Sequence, residues 1–391
     1  MASHSIPRFA SDDYTAEAAA ARRAFIEEKT GTALAHTGRY SFDPKILPGN
    51  IENFVGVVQM PLGFAGPLKI KGEHAHGEVY VPMATTEGTL LASYGRGMSV
   101  TRAAGGVTTT ILDEAMQRAP VFVFEDARGA RDFGLWLKAE FDAVKAAAEA
   151  TTRVGVLRDI EQYPAARMLY TRFNYTTGDA AGQNMCGKAT DAACRWIAAH
   201  YPGPMTRYTL TGAMDTDKKY SALNTLRTRG KRVVAEVTLP RDLLKERLRV
   251  TPEALLAVRQ TSQIGAMMAG STLNGVHPAN GIAAMFIATG QDEANVAESG
   301  ACIVHAEITA EGDYYFSSTI PSLIVASYGG GTGLATQREC LEALGCYGAG
   351  KARKLAEVMA AAVLCGELSL SAAVVAGDWV AAHDAYGRNR P

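Results

Sequence analysis

The sequence predicts an α+β fold, on three observations. Between Pro120 and Gly212, short apolar runs and helical stretches alternate in the order β-α-β-β-α-β. After Gly212, strands alternate with longer helices, and the chain closes on a mostly helical run from Ala352 to His383. No internal repeat or low-complexity linker separates these parts, so 120–211 reads as an insertion into a larger unit rather than an appended domain. A length of 391 residues suits two packed units.

In chain order, Asp13 to Lys29 reads as an amphipathic, Ala-rich helix closed by Gly31. Ser41 to Leu68 carries Pro44, Pro48, Pro61 and Pro67 and reads as extended segments and turns. In the insertion, Val121–Phe124, Val154–Leu157, Met168–Tyr175 and Tyr208–Leu210 read as strands, and Ala130–Ala150 and Asn184–His200 as helices. Together they form a ferredoxin-like unit. Beyond it, Val233–Leu239 and Ser318–Ala326 read as strands, and Pro252–Gly270 and Ala279–Ala288 as helices. The helical run from Ala352 is expected to be interrupted at Gly366 and Gly377. The expected domains are an N-terminal helical segment (1–50), a large mixed domain (51–119 and 212–370), the insertion (120–211) and a C-terminal helical flap (371–391).

Hydrophobic residues make up 47% and charged residues 20% of the chain, ample for a core. A formal net charge of -1 gives no general attraction to nucleic acid or an anionic membrane. The cluster Arg227, Arg229, Lys231, Arg232 reads as a solvated turn. No secretory signal opens the chain, and the apolar run Ala361–Leu364 is too short to span a bilayer. The six cysteines are dispersed without a Cys-x-x-Cys pair. They read as buried reduced thiols of a cytoplasmic protein rather than a disulfide framework or metal site.

Several segments carry residues suited to hydride reduction of a thioester, which needs an oxyanion partner, a proton source and close approach of a dinucleotide. In Met83-Ala84-Thr85-Thr86-Glu87-Gly88, Glu87 stands among small residues before Leu90-Leu91-Ala92. It is a partly desolvated acid with a raised pKa, or a helix-start residue beside Thr85. Lys218 and Lys219 follow Asp217 in a turn after Gly212, either solvated or holding an electrophilic ammonium. Asp292, after an apolar helix, is either a buried carboxylate orienting such a lysine or a helix C-terminal turn residue. Gly178-Asp179-Ala180-Ala181-Gly182-Gln183-Asn184, where a strand meets a helix, lets a phosphate approach the backbone. The run Gly329-Gly330-Gly331-Thr332-Gly333 implies close approach to a ligand or a neighbouring element. His383, near the chain end, belongs to a lid or simply to the surface.

With Glu52-Asn53-Phe54-Val55-Gly56, Pro61-Leu62-Gly63-Phe64-Ala65-Gly66-Pro67-Leu68 and Glu367-Leu368-Ser369-Leu370, these motifs resemble, in order, the catalytic portion of the 3-hydroxy-3-methylglutaryl-coenzyme A reductases. The resemblance runs from about Glu52 to Arg388. It implies two successive hydride transfers from two NADPH per turnover, without a metal, giving mevalonate and free coenzyme A for isoprenoid synthesis. Lys218 would stabilise the oxyanion, Asp292 tune it, Glu87 act as acid at the aldehyde stage, and His383 protonate the coenzyme A thiolate. Arg118, Asp217, Lys219 and Asn280 fall where the family grips the acyl group. Arg153, Asp179, Ala180, Gly182 and Asn184 match its cofactor-binding positions, Arg153 at the 2′-phosphate, which makes the insertion the NADP domain. Active sites between subunits imply a homodimer or higher homo-oligomer, with no membrane or nucleic-acid partner. The sequence departs from the family pattern at Gln183, Ala213, Ala326-Ser327-Tyr328 and Thr261, the last standing where a substrate-binding lysine is expected. Those departures keep open a paralogue acting on a related 3-hydroxyacyl-coenzyme A. A non-catalytic coenzyme A-binding protein is the alternative from another class.

Overall fold

A computed structural model describes residues 5–10, 12–271, 273–378 and 384. Helix α1 (Ala16–Thr30) starts where the Thr15 hydroxyl accepts the Ala18 N–H and stops at Gly31, whose φ of 68° suits glycine. Arg22 is buried on its inner face. It donates to the carbonyls of Pro7, Asp13 and Phe54, so the motif around Phe54 docks onto this helix.

Strands β1 (Leu62–Gly72) and β2 (His76–Ala84) then form an antiparallel pair. The irregular reading of Ser41–Leu68 therefore holds only as far as Pro61. Pro67 is tolerated because the β1 register shifts between Ala65 and Leu68, where no ladder N–H is needed. Helix α2 (Leu90–Ala103) leads into β3 (Val107–Arg118), whose Val-Thr-Thr-Thr-Ile start is rich in β-branched residues. Next come β4 (Val121–Val123), α3 (Ala127–Ala139), α4 (Phe141–Glu149), β5 (Val156–Ala165), β6 (Met168–Thr176), α5 (Gln183–His200) and β7 (Arg207–Thr209). The single helix expected over Ala130–Ala150 is thus two, parted at Glu140.

The rest comprises α6 (Ala222–Leu226), β8 (Gly230–Leu239), α7 (Arg241–Leu248), α8 (Pro252–Met268), α9 (Pro278–Thr289), α10 (Val296–Ser299), β9 (Ile303–Ile308), β10 (Tyr314–Leu323), α11 (Ala335–Ala343) and α12 (Ala352–Ala376). The strands join in the order β7-β4-β6-β3-β8-β10-β9, with β5 on the flank of β6 and the β1–β2 pair on β3. Strand β3 spans the junction. Its first part pairs with β8, and Met116 to Arg118 pair with β6. Arg118 is thereby carried to the seam between the two halves of the sheet.

Each half has its own core. Phe122, Phe124, Phe133, Leu169, Phe173 and Ile197 fill one. The larger core surrounds α12, whose residues from Leu355 to Ser369 are buried on every side. This helix is long and apolar enough to cross a bilayer, unlike the short run Ala361–Leu364 taken alone, but 78% of its apolar window is buried within the fold. Gly366 does not interrupt it. A Cβ there would lie 2.4 Å from Cζ of Tyr94, and one at Gly97 2.0 Å from the Cys365 carbonyl oxygen, so α2 and α12 cross at backbone contact. Gly377, at φ 73°, ends α12.

Candidate active site

The lysine loop, residues 211–220, rests on a buried ionic frame. Arg229 is 1% exposed. It donates to the Asp217 carboxylate, to Glu298 Oε1 (3.3 Å), and to the carbonyls of Gln117 (3.4 Å) and Asp215 (3.2 Å). The basic cluster around it is therefore only partly solvated: Arg227 is exposed, but Arg229 and Lys231 are buried. Arg229 and Lys231 alternate inward at the start of β8, and buried Lys231 faces Glu114 at 3.8 Å. Glu298 also accepts the Lys218 N–H at 2.9 Å and Asn295 Nδ2 at 3.3 Å. Burial pushes its carboxyl above the ordinary range, against these donors. Gln183 bridges Asn295 (2.9 Å) and Asp217 (3.3 Å), which gives that departure a structural role.

On this frame Lys218 adopts φ 55°, a conformation side chains rarely take. Its ammonium lies 2.9 Å from Asp292 Oδ2. The bond to Asp292 raises the lysine pKa, with further support from the charges of Asp217 and Glu298 and against some desolvation. Both side chains remain open, 45% and 38% exposed, so a substrate can reach them. Asp292 thus orients the lysine from an exposed position rather than a buried one; the buried carboxylate is Glu298. The motif around Asp292 divides the work. Gly290, at φ 66°, ends α9 against the Gly331 backbone, where a Cβ would sit 2.3 Å from the carbonyl oxygen. Gln291 staples both polar groups of Ala326. The glycine run 329–333 thus serves close approach to a neighbouring element at Gly331.

Two more of the expected acyl contacts belong to or touch the lysine loop. Lys219 Nζ donates to the Asp217 carbonyl at 3.0 Å, and Arg118 pairs with Asp215 Oδ2 at 3.3 Å. Glu87 and Asn280 lie elsewhere. Asn280 Nδ2 meets Glu87 Oε1 at 3.4 Å at the opposite end of α9. That helix has 12 residues, about 18 Å at ~1.5 Å per residue. Glu87 is exposed in a turn, its N–H bonded to the Thr85 hydroxyl, and not desolvated as its small neighbours suggest. The Glu87–Asn280 contact and the Lys218–Asp292 contact are therefore separated by the length of α9.

The candidate cofactor segment enters α5. Gly182, at φ 87°, caps that helix and packs on Thr177, where a Cβ would lie 2.2 Å from Cγ2. Ala180 contributes its carbonyl to the Thr177 hydroxyl (2.8 Å), and Asn184 stands in the first turn of α5. Arg153 is exposed two residues before Gly155, which packs against Met185 of the same turn. Asp179 is already engaged. Its carboxylate accepts the N–H groups of Gly350 (2.7 Å), Lys351 (3.0 Å) and Ala352 (3.1 Å) at the start of α12, and the hydroxyl of Ser327. Partial burial would raise its pKa, but these donors hold it below the ordinary value. The departure at Ser327 belongs to this latch. His383 lies outside the described residues.

Sequence reasoning missed Arg229, Glu298, Asn295 and Asp215. The alternation Arg229-Gly230-Lys231 before a strand was the available signal for inward-pointing cations.

A positioned ammonium on a carboxylate frame, near a helix entrance lined with small residues, is equipment for an oxidoreductase that acts on a carbonyl. A sequence model of the family described as hydroxymethylglutaryl-coenzyme A reductase matches residues 18–388. The chain belongs to that family. It is 46% identical over 376 residues to the 3-hydroxy-3-methylglutaryl-coenzyme A reductase of Pyrococcus abyssi, covering 94% of this chain and 92% of the relative. The Haloferax volcanii protein of the same name is 42% identical over 391 residues, covering 98% and 96%. Among solved structures, the class II 3-hydroxy-3-methylglutaryl-CoA reductase of Streptococcus pneumoniae bound to NADPH in open conformations superposes with a TM-score of 0.69 at 20% identity, over 85% of this chain and 89% of that one. At that identity the likeness is one of fold.

Proposed function

We propose that this protein reduces 3-hydroxy-3-methylglutaryl-CoA to mevalonate and free coenzyme A, oxidising two NADPH per turnover and taking up two protons. The observation that carries this reading is the Lys218–Asp292 contact on its buried frame. Bound NADPH would supply hydride. Lys218 stabilises charge developing on the thioester oxygen, and Asp292 keeps the ammonium protonated and aimed. Arg118, Asp217 and Lys219 line the acyl side of that half-site. Glu87, oriented by Asn280, donates the proton at the aldehyde stage, and His383 protonates the departing thiolate. The small residues around Gly182 admit the cofactor backbone to the α5 N-terminus, and Arg153 answers the 2′-phosphate. Strands β7-β4-β6-β5 and their helices serve as a ferredoxin-like cofactor domain; the flap expected from residue 371 begins inside α12, whose Ala372 and Ala373 are buried in the core.

Because Glu87 and Lys218 lie at opposite ends of α9, each complete site takes one half from each of two subunits. An exposed apolar face supports assembly: Ile264, Met267, Met268 and Val276 are all more than half exposed. Six free, buried cysteines suit the cytoplasm. The test is NADPH oxidation by purified protein. With this substrate, two NADPH should disappear per thiol released, and NADH should substitute poorly. No oxidation with the substrate would overturn the reading.

A further inference from the structure

Arg118 occupies a telling place. Its guanidinium lies against α5, where a Cβ at Gly187 would be 3.4 Å from Nη2, and against the lysine loop through Asp215. It therefore ties the candidate cofactor helix to the loop that carries Lys218. Asp215 is 5% exposed in its side chain and takes a second bond from the Thr211 hydroxyl at 3.3 Å. Its own carbonyl is held by Arg229 at 3.2 Å. This carboxylate cannot leave the arginine without staying buried and unpaired, which is costly.

Within one chain Arg118 is committed before any substrate arrives, while Lys219 donates only to the Asp217 backbone carbonyl. Arg118, Lys218, Lys219 and Arg229 face Asp215, Asp217, Asp292 and Glu298, with ion pairs Arg118–Asp215, Lys218–Asp292, Arg229–Asp217 and Arg229–Glu298. The lysine that the family resemblance leads one to expect at Thr261 is absent, and the Thr261 hydroxyl turns back to the Ala257 carbonyl at 2.9 Å. A second carboxylate brought to Arg118 must share one guanidinium with Asp215, an anion beside an anion.

We infer that Asp215 is a specificity-determining residue: by holding Arg118 it weakens the grip on a carboxylate at the acyl end and admits 3-hydroxyacyl thioesters whose acyl end is uncharged. This rests on the reductase reading above. The probes are 3-hydroxy-3-methylglutaryl-CoA and 3-hydroxy-3-methylpentanoyl-CoA, in which a methyl replaces the carboxylate. Dissociation constants are measured by calorimetry on the full-length assembled protein, beside NADPH oxidation with each probe. The parent should bind the two within about tenfold of each other, whereas a site that spends its cation on the substrate discriminates by far more. Asp215→Asn should move the ratio about tenfold toward the carboxylated thioester, and Asp215→Glu should leave it near the parent value. A purely structural effect would weaken both probes together. A parent preference for the carboxylated thioester beyond about a hundredfold, or a ratio unmoved in folded Asp215→Asn, overturns the inference. Binding of both probes without turnover of either strikes the reductase reading instead.

Discussion

Lys218 works as an electrophile only while it carries its proton. Asp292, 2.9 Å away, raises its pKa, so the ammonium persists at ordinary pH and is lost only as pH rises through that elevated value. Asp292→Asn removes the charge that holds the proton. The alkaline limb of kcat should then shift to lower pH, with turnover at neutral pH down by about a hundredfold, as when a preorganised oxyanion contact is disturbed. Rate profiles on parent and variant check this, and an unmoved alkaline limb would contradict it. At this scale the pairing of Lys218 with Asp292 was offered by the sequence, and the structure brings the two together. Residue types alone left Glu87, Lys218 and Asp292 open between a chemical and a plain turn role, and Asn280 entered only through the family resemblance. The frame was not legible. Arg229 and Glu298 look like surface charges in the sequence, and only tertiary packing puts a guanidinium and a carboxylate together where both are dry. The contacts of Asp179 were hidden for a related reason, since its partners at residues 350–352 lie far along the chain.

The α2–α12 crossing allows a sharper test of why particular glycines sit in helices. Gly95 and Gly97 lie on the same helix, two residues apart and so on different faces. Nothing lies within 4 Å of a Cβ at Gly95, but one at Gly97 meets the Cys365 carbonyl at 2.0 Å. Gly95→Ala should therefore stabilise by roughly 0.5–1 kcal/mol through the unfolded chain. Gly97→Ala should destabilise by ~1–3 kcal/mol or more, because two helix backbones must separate. Urea titrations of the two variants should move the midpoint in opposite directions, and shifts of the same sign would refute the packing argument. The same contrast explains the false break at Gly366. Glycine in a helical run reads as an interruption, yet here it permits contact with the Tyr94 ring. Strands β4, β6 and β7 of the insertion were readable from apolar runs bounded by turns, whereas β5 (Val156–Ala165) was foreseen only at Val156 and Leu157, because Arg158, Asp159 and Glu161 break its apolar run. Strand β1 was not, because Pro61 and Pro67 hide it, and the bulge that accommodates Pro67 depends on its pairing with β2.

For the whole molecule, the arrangement along α9 governs the account. The helix holds Asn280 and Glu87 at its start and Asp292 and Lys218 past its end, too far apart to act on one carbonyl. In the proposed assembly two chains bring opposite ends together to complete each site, and the exposed face at Ile264, Met267 and Met268 offers the apolar surface for it. Mixing two inactive proteins tests this most directly. Glu87→Gln and Lys218→Ala, each purified alone, should have negligible NADPH oxidation with 3-hydroxy-3-methylglutaryl-CoA. Unfolded and refolded together in equal amounts, half of the dimers are mixed, and each of these carries one site with both lesions and one with neither. Activity should recover to about a quarter of the parent value, the share set by random pairing in a twofold assembly. Mixtures that stay as inactive as their components, while forming mixed dimers, would contradict the account.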